Sequence, residues 1–327
     1  MKKGKIDAIQ ALRGVAALMV VARHSWESFN IGGAGVDLFF VISGFTMVYA
    51  SKPMFGSGRS IFPFIERRLI RIYPVYWAAT ALIILLLGLP DMPNLIGSIL
   101  LIPLADRPII NPGWTLIYEV FFYAIFAAML CLPMRQAAAA VIGALLLVTV
   151  VGPYVPFISA YADPIVLDFA AGVLLGVAYC EGARLTRLPA NYLLLAGILM
   201  VGLIALLGEF NGQIWLRLIA WCLPATLIFV ALVFGPERKI LKTFVLQGLG
   251  EASYSIYVFH WVVYRGFLSA PHHRPATFIT SIFLGLGFFF AFERPVLAFL
   301  RTRFARLQPY PQASQAPATA IAPAVID

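Results

Sequence analysis

Arg13 and His24 lie eleven positions apart in LRGVAALMVVARH, an otherwise apolar stretch near the start of the chain. On a helix that spacing returns both side chains to nearly one face, about 16 Å apart along the axis. An imidazole so placed can take the proton of a hydroxyl nucleophile or carry an acyl group transiently, and a guanidinium can hold a polar or anionic donor. A lone buried histidine also serves helix–helix hydrogen bonding, and buried Arg, His and Glu occur in transporters as well as enzymes. The pair by itself leaves both classes open.

Further polar residues recur in short strings. GVDLFFVISGF brings Asp37 to the outer edge of an apolar run, with Ser43 and Gly44 deeper. The carboxylate can orient a histidine or accept a substrate hydroxyl, whereas the two small residues suit close helix packing. NPGWTLIYEVFFY carries Tyr118 and Glu119 about one and a half turns below the outer surface. Because its helix and that of His24 enter from opposite sides, Glu119 is expected level with His24, with Asp37 close by. A histidine and carboxylate acid–base pair follows, the alternative being a structural Glu119 paired with Arg13 or Arg217. GEASYSIYVFHW adds Tyr254, Tyr257 and His260, which join Tyr118 and Ser43 as candidates to support an acceptor; His260 equally reads as a core histidine. In IFPFIERRLIRIYP, Arg67, Arg68 and Arg71 stand three and four apart and are expected to form one basic face at the cytoplasmic surface, before a span opened by Pro74. His272 and His273 fall in an outer loop, and Glu293 at the inner end of the last span, where it can pair with the basic segment. Cys131, Cys180 and Cys222 lack metal-ligand spacing and read as packing residues, so no metal site is expected.

Apolar helices must position these groups. Of the 327 residues 61% are hydrophobic and 12% charged, against about a quarter charged in a soluble domain. Ten spans are predicted, over 8–27, 36–51, 74–89, 114–132, 137–152, 164–180, 191–208, 215–234, 253–269 and 276–292, each close to the roughly 20 residues a crossing needs. The apolar piece 95–104 is too short to cross. Between these spans eighteen Lys and Arg, from Lys2 to Arg306, fall on one side, and only Arg107 and Arg274 on the other. That asymmetry puts both termini in the cytoplasm, and it accounts for the net charge of +9 by topology, with no nucleic-acid partner. The basic stub and apolar run at the start look like a signal peptide, but Arg13 and the lack of a clear cleavage site favour a retained first span. The expected fold class is all-α, a polytopic transmembrane helix bundle forming one domain over 1–306, with a disordered Pro- and Ala-rich cytoplasmic tail over 307–327. Neither paired broken helices nor an inverted repeat, the marks of many transporters, is visible.

In their order and spacing, LRGVAALMVVARH, GVDLFFVISGF, RRLIRIYP, WTLIYEVFFY and SYSIYVFH resemble the membrane-bound acyltransferase 3 family. The resemblance runs from about residue 6 to 295 and is nearest to bacterial exopolysaccharide acetyltransferases of the succinoglycan-modifying kind. It implies an O-acyltransferase of the bacterial cytoplasmic membrane that moves an acyl group, usually acetyl, from cytoplasmic acyl-CoA to a hydroxyl of a polysaccharide or lipid-linked glycan. His24, Glu119 and Asp37 would then be catalytic, and Arg13, Arg67, Arg68 and Arg71 would bind acyl-CoA, a donor substrate in an enzyme without a tightly bound cofactor. Polysaccharide-assembly proteins are implied as partners. Some relatives carry an extra C-terminal hydrolase-like domain; none is seen here, so the bundle or a separate partner is expected to complete the transfer.

Overall fold

A computed structural model describes residues 6–26, 28–104, 107–207, 214–266 and 274–305. The predicted tail and the pair His272 and His273 lie outside the described residues. Every regular element described is helical, as lipid demands of chains that cannot close a barrel. The helices are α1 (Asp7–Ser25), α2 (Ala34–Ser51), α3 (Ile61–Leu87), α4 (Met92–Leu100), α5 (Trp114–Met129), α6 (Met134–Val151), α7 (Leu167–Cys180) and α8 (Arg187–Leu207). Then α9 (Ile214–Arg217) runs through a π turn, Leu218–Cys222, into α10 (Leu223–Val233). After α11 (Phe244–Glu251) and α12 (Ser253–Gly266), α13 (Arg274–Phe288) continues through a second π turn, Phe289–Glu293, into α14 (Arg294–Ala305).

Among the described residues seven segments are long and apolar enough to cross a membrane: Asn30–Met54, Gly58–Leu87, Asn111–Met129, Met134–Tyr154, Arg187–Leu207, Trp215–Val233 and Arg274–Arg303. The other three predicted spans are occupied by α1, which carries Arg13, Arg23 and His24, and by the shorter α7 and α12. The architecture is an all-α polytopic bundle. The apolar piece 95–104 begins within α4, which has nine residues, shorter than a crossing needs, and is capped by Asp91, which accepts from the Asn94 amide at 3.1 Å.

One expectation is corrected. Pro74 does not open the third span but sits inside α3, which runs unbroken from Ile61 to Leu87 and so contains the basic segment. A proline there removes one intrahelical bond, and the buried flanking residues Ile72, Val75 and Tyr76 pack the helix across it.

The bundle is centred on α1, α2 and α12. In the α2 segment 72% of the span is buried, against 17% in α8, whose Leu195, Leu199, Leu203 and Leu206 stay exposed as a lipid-facing stripe. With lipid as apolar as leucine, helices associate by close packing, and small residues permit it. A β-carbon added at Gly44 would lie 2.2 Å from the Phe169 carbonyl oxygen, and one at Gly172 would lie 2.2 Å from that of Val41, so α2 and α7 touch backbone to backbone. Next to that contact Phe169 stacks on Phe40 and Phe122, with ring centroids 4.2 and 4.4 Å apart. α1 is gripped in the same way by α11, where a β-carbon at Gly250 would meet the Gln10 carbonyl oxygen at 2.0 Å.

Candidate active site

A chamber of about 130 Å³ lies among α1, α2, α3, α5 and α12. Each helix turns its polar residues inward at helical spacing: Ser43 and Thr46 from α2, Arg68 and Arg71 from α3, Thr115, Glu119 and Tyr123 from α5, and Tyr254 and Tyr257 from α12, with Arg13 from α1. Arg67, one position off the Arg68–Arg71 face, is exposed, and its Nε donates to the Pro63 carbonyl at 3.1 Å. The single basic face expected for the three arginines is therefore split, because neighbouring positions on a helix point about 100° apart.

Three guanidiniums and two carboxylates set the charge here. Glu119 accepts from Ser43 Oγ at 3.2 Å and from the Tyr123 hydroxyl. Arg71 Nη1 pairs with Glu293 Oε1 at 3.1 Å, and Ser255 Oγ donates to Glu293 Oε2 at 2.6 Å, so the fully buried Glu293 does meet the basic segment. Arg13 lies within electrostatic reach of Arg71, Glu293 and Glu119. The Arg68 guanidinium sits 5.3 Å over the Phe64 ring and 5.8 Å over that of Tyr123, and its buried Nε has no partner. Thr46 Oγ1 and Ser253 Oγ are likewise buried without a partner. The Tyr254 hydroxyl donates to the Ile72 carbonyl at 2.8 Å.

His24 does not line this chamber. Its ring lies 5.1 Å from that of His260 and 5.5 Å from that of Trp261. His260 is buried; its Nδ1 is 2.5 Å from the Tyr257 carbonyl oxygen, which places the proton on Nδ1 and leaves Nε2, unpartnered, with its lone pair. One turn earlier the Tyr257 hydroxyl bonds the Pro112 carbonyl at 2.9 Å and lies 2.7 Å from Thr115 Oγ1, at the chamber wall. Tyr257 and His260 thus link the chamber to His24.

The expected grouping of His24, Glu119 and Asp37 is rearranged. Glu119 belongs to the chamber, on an α5 that starts from a 3₁₀ turn, Asn111–Gly113, whose Pro112 and Gly113 are buried. Asp37 points from another face of α2: its Oδ2 pairs with Arg217 Nη2 at 2.9 Å, and Asp168 of α7 stands beside it. Tyr118 packs edge-on against Trp114 and Tyr161 with centroids 5.8 and 6.5 Å away, outside the chamber. Sequence reasoning did not single out Tyr123, Thr46, Ser253, Ser255 or Asp168. Tyr123 was within reach, standing one helical turn from Glu119 on the same face.

A family model for the acyltransferase domain, acyltransferase 3, matches residues 6–294. The chain belongs to the acyltransferase 3 family. This acyltransferase is 34% identical over 320 residues to the exopolysaccharide production protein ExoZ of Rhizobium meliloti (strain 1021), covering 88% of this chain and 96% of that protein. It is 25% identical to acyltransferase MdmB of Streptomyces mycarofaciens, over 80% of this chain and 79% of the relative. Protein 2 in the picA locus of Rhizobium radiobacter matches at 32% over 36% of this chain and 79% of its own length. No solved structure matches.

Proposed function

We propose that this acyltransferase moves an acyl group, by preference acetyl, from acyl-CoA on the cytoplasmic side to a hydroxyl of an exopolysaccharide or its lipid-linked precursor. It would do so in the bacterial cytoplasmic membrane, with ten spans and both termini inside. The observation that carries the acceptor class is the likeness to the exopolysaccharide production protein along nearly both whole chains. The donor side is supported by the excess of Lys and Arg on one side of the predicted spans and by the chamber's surplus of guanidiniums over carboxylates. Acyl-CoA is consumed as a substrate, and no tightly bound cofactor is required.

The amides of a pantetheine arm need partners once they leave water. Ser43, Thr46 and Glu119 supply them, together with the unpaired Nε of Arg68. At about 130 Å³ the chamber falls below the roughly 300–1,000 Å³ of pockets that enclose drug-sized ligands, so it suits a slender arm and not a nucleotide. At its far end His24 takes the proton of the acceptor hydroxyl while the oxygen attacks the thioester carbonyl carbon. The C–O bond forms, the C–S bond breaks, and the imidazolium returns the proton to the departing thiolate, giving the sugar ester and free CoA thiol. His260 Nε2 is available beside His24 to orient that imidazole or the incoming hydroxyl.

Comparison of ester content in surface polysaccharide from cells with and without the protein tests the reading, together with acetyl-CoA consumption by reconstituted protein. The expected result is an acyl ester lost with the protein, and thiol release only when the glycan acceptor is present. Unchanged esters and no acceptor-dependent thiol release would refute it.

A further inference from the structure

A second cavity, of about 1160 Å³, opens at the N-terminal end of α1, between the C-terminal end of α2 and the segments that follow α7 and α10. It meets the chamber at Arg13 and Thr46, which line both. Its five cations are Arg13, Lys52, Arg184, Arg238 and Lys242, and its two carboxylates Asp7 and Glu237, an excess of three positive charges. Lys242 is paired with Glu237, and Lys52 Nζ donates to the Cys180 carbonyl at 3.1 Å. Arg238 Nη2 donates to Asn191 Oδ1 at 2.7 Å, while its buried Nε has no partner. Tyr49 and Tyr179 add aromatic surface, and the Arg184 guanidinium lies 3.6 Å over the Tyr179 ring.

Resting on the acyl-CoA reading above, we infer that this vestibule, and not the arginine pair of α3, holds the phosphorylated adenosine head of the CoA thioester, with the pantetheine arm running past Arg13 and Thr46 into the chamber. Size separates the two sites. Arg68 and Arg71 face a space of about 130 Å³, whereas pockets for ligands of nucleotide size run to roughly 300–1,000 Å³. Charge is compatible with this: Arg71 is already committed to Glu293 and the unpaired Arg68 Nε faces the small chamber, while the vestibule holds an excess of three positive charges and an orphaned donor of its own, the Arg238 Nε, suited to phosphate oxygens. Aromatic and guanidinium faces such as Tyr49, Tyr179 and Arg184 are what a purine stacks on. The shared residues Arg13 and Thr46 make the two cavities one path.

Wild-type protein in lipid nanodiscs, photolabelled with acetyl-CoA carrying an azide on the adenine, reports where the head sits without any substitution. Label is expected within residues 49–53, 179–184 or 235–242; label confined to 61–72 would overturn the inference. Kinetics give the second test, in a Lys52→Gln/Arg238→Gln double variant. Its KM for acetyl-CoA should rise about tenfold or more with kcat within about twofold, as lost charge-assisted contacts predict. Its KM for acetyl-pantetheine, which has no nucleotide, should stay at the wild-type value. Equal rises for both donors, or none for acetyl-CoA, would refute the vestibule and leave the enzyme assignment intact. A wild-type protein that turns over neither donor would overturn the acyl-CoA reading and this inference with it.

Discussion

Two faces of α2 carry charge into the bundle, and they are built with opposite sign. On one, Asp37 pairs with the Arg217 guanidinium at 2.9 Å and Asp168 stands within electrostatic reach of both; none of the three lines the chamber or the vestibule. On the other, Ser43 and Thr46 look into a chamber where Arg13, Arg68 and Arg71 outnumber Glu119 and Glu293. Charge within a membrane bundle is therefore not by itself the mark of a reaction site. What distinguishes the second face is open space, a surplus of cations and a wall residue, Tyr257, whose carbonyl holds His260 beside His24. The first face holds helices α2, α7 and α9 together at the cost of burying two acids.

That difference can be broken by substitution. The largest effect is expected for Arg217→Ala, which leaves two buried carboxyls without a counter-charge and should cost about 3–5 kcal/mol. Fluorescence-detected size exclusion should show most of the protein lost, with Arg217→Lys restoring it; well-folded Arg217→Ala would mean the ion cluster holds nothing together. A smaller effect, on catalysis, is expected in the chamber. Glu119→Gln keeps the shape but weakens the contacts from Ser43 and Tyr123 by about 1.5–3 kcal/mol, so transfer per folded molecule should fall about tenfold to a hundredfold. An unchanged rate in reconstituted vesicles would remove Glu119 from the path. The smallest effect belongs to Tyr118→Phe. Its ring packs outside the chamber on Trp114 and Tyr161, and stability and rate should stay within about 0.5 kcal/mol of wild type; a large rate loss would place its hydroxyl on the acceptor.

Local pattern made much of this visible in the sequence. The period and length of the apolar runs give the helices, and the eleven-residue spacing gives the Arg13–His24 stripe on α1. The pairing of Glu293 with the basic segment was also within reach of the sequence. Long-range facts were not. Asp37 and Arg217 are 180 positions apart, and nothing local tells which face of α2 turns toward α9. Glu119 lines the chamber while His24 does not, and no local signal told the two apart; the turn at Asn111–Gly113 is buried, though a Pro-Gly pair ordinarily marks a surface connection. Pro74 looked like a helix start because proline favours that position, yet packing on both sides of it keeps α3 whole. The vestibule escaped notice because Lys52, Arg184, Arg238 and Lys242 lie on three separate connections that only the fold brings together.

The contrast between the two faces is tested most directly by acetyl transfer in vesicles containing His24→Ala or Asp37→Asn, each rate divided by the amount of folded protein. Loss of a general base costs about 10²–10⁴-fold, so His24→Ala should be essentially inactive while folded. Asp37→Asn leaves Asp168 beside Arg217 as its remaining counter-charge and should keep nearly the wild-type rate per folded molecule. An active His24→Ala beside a folded but inactive Asp37→Asn would contradict the assignment and move the chemistry to the Asp37–Arg217 face.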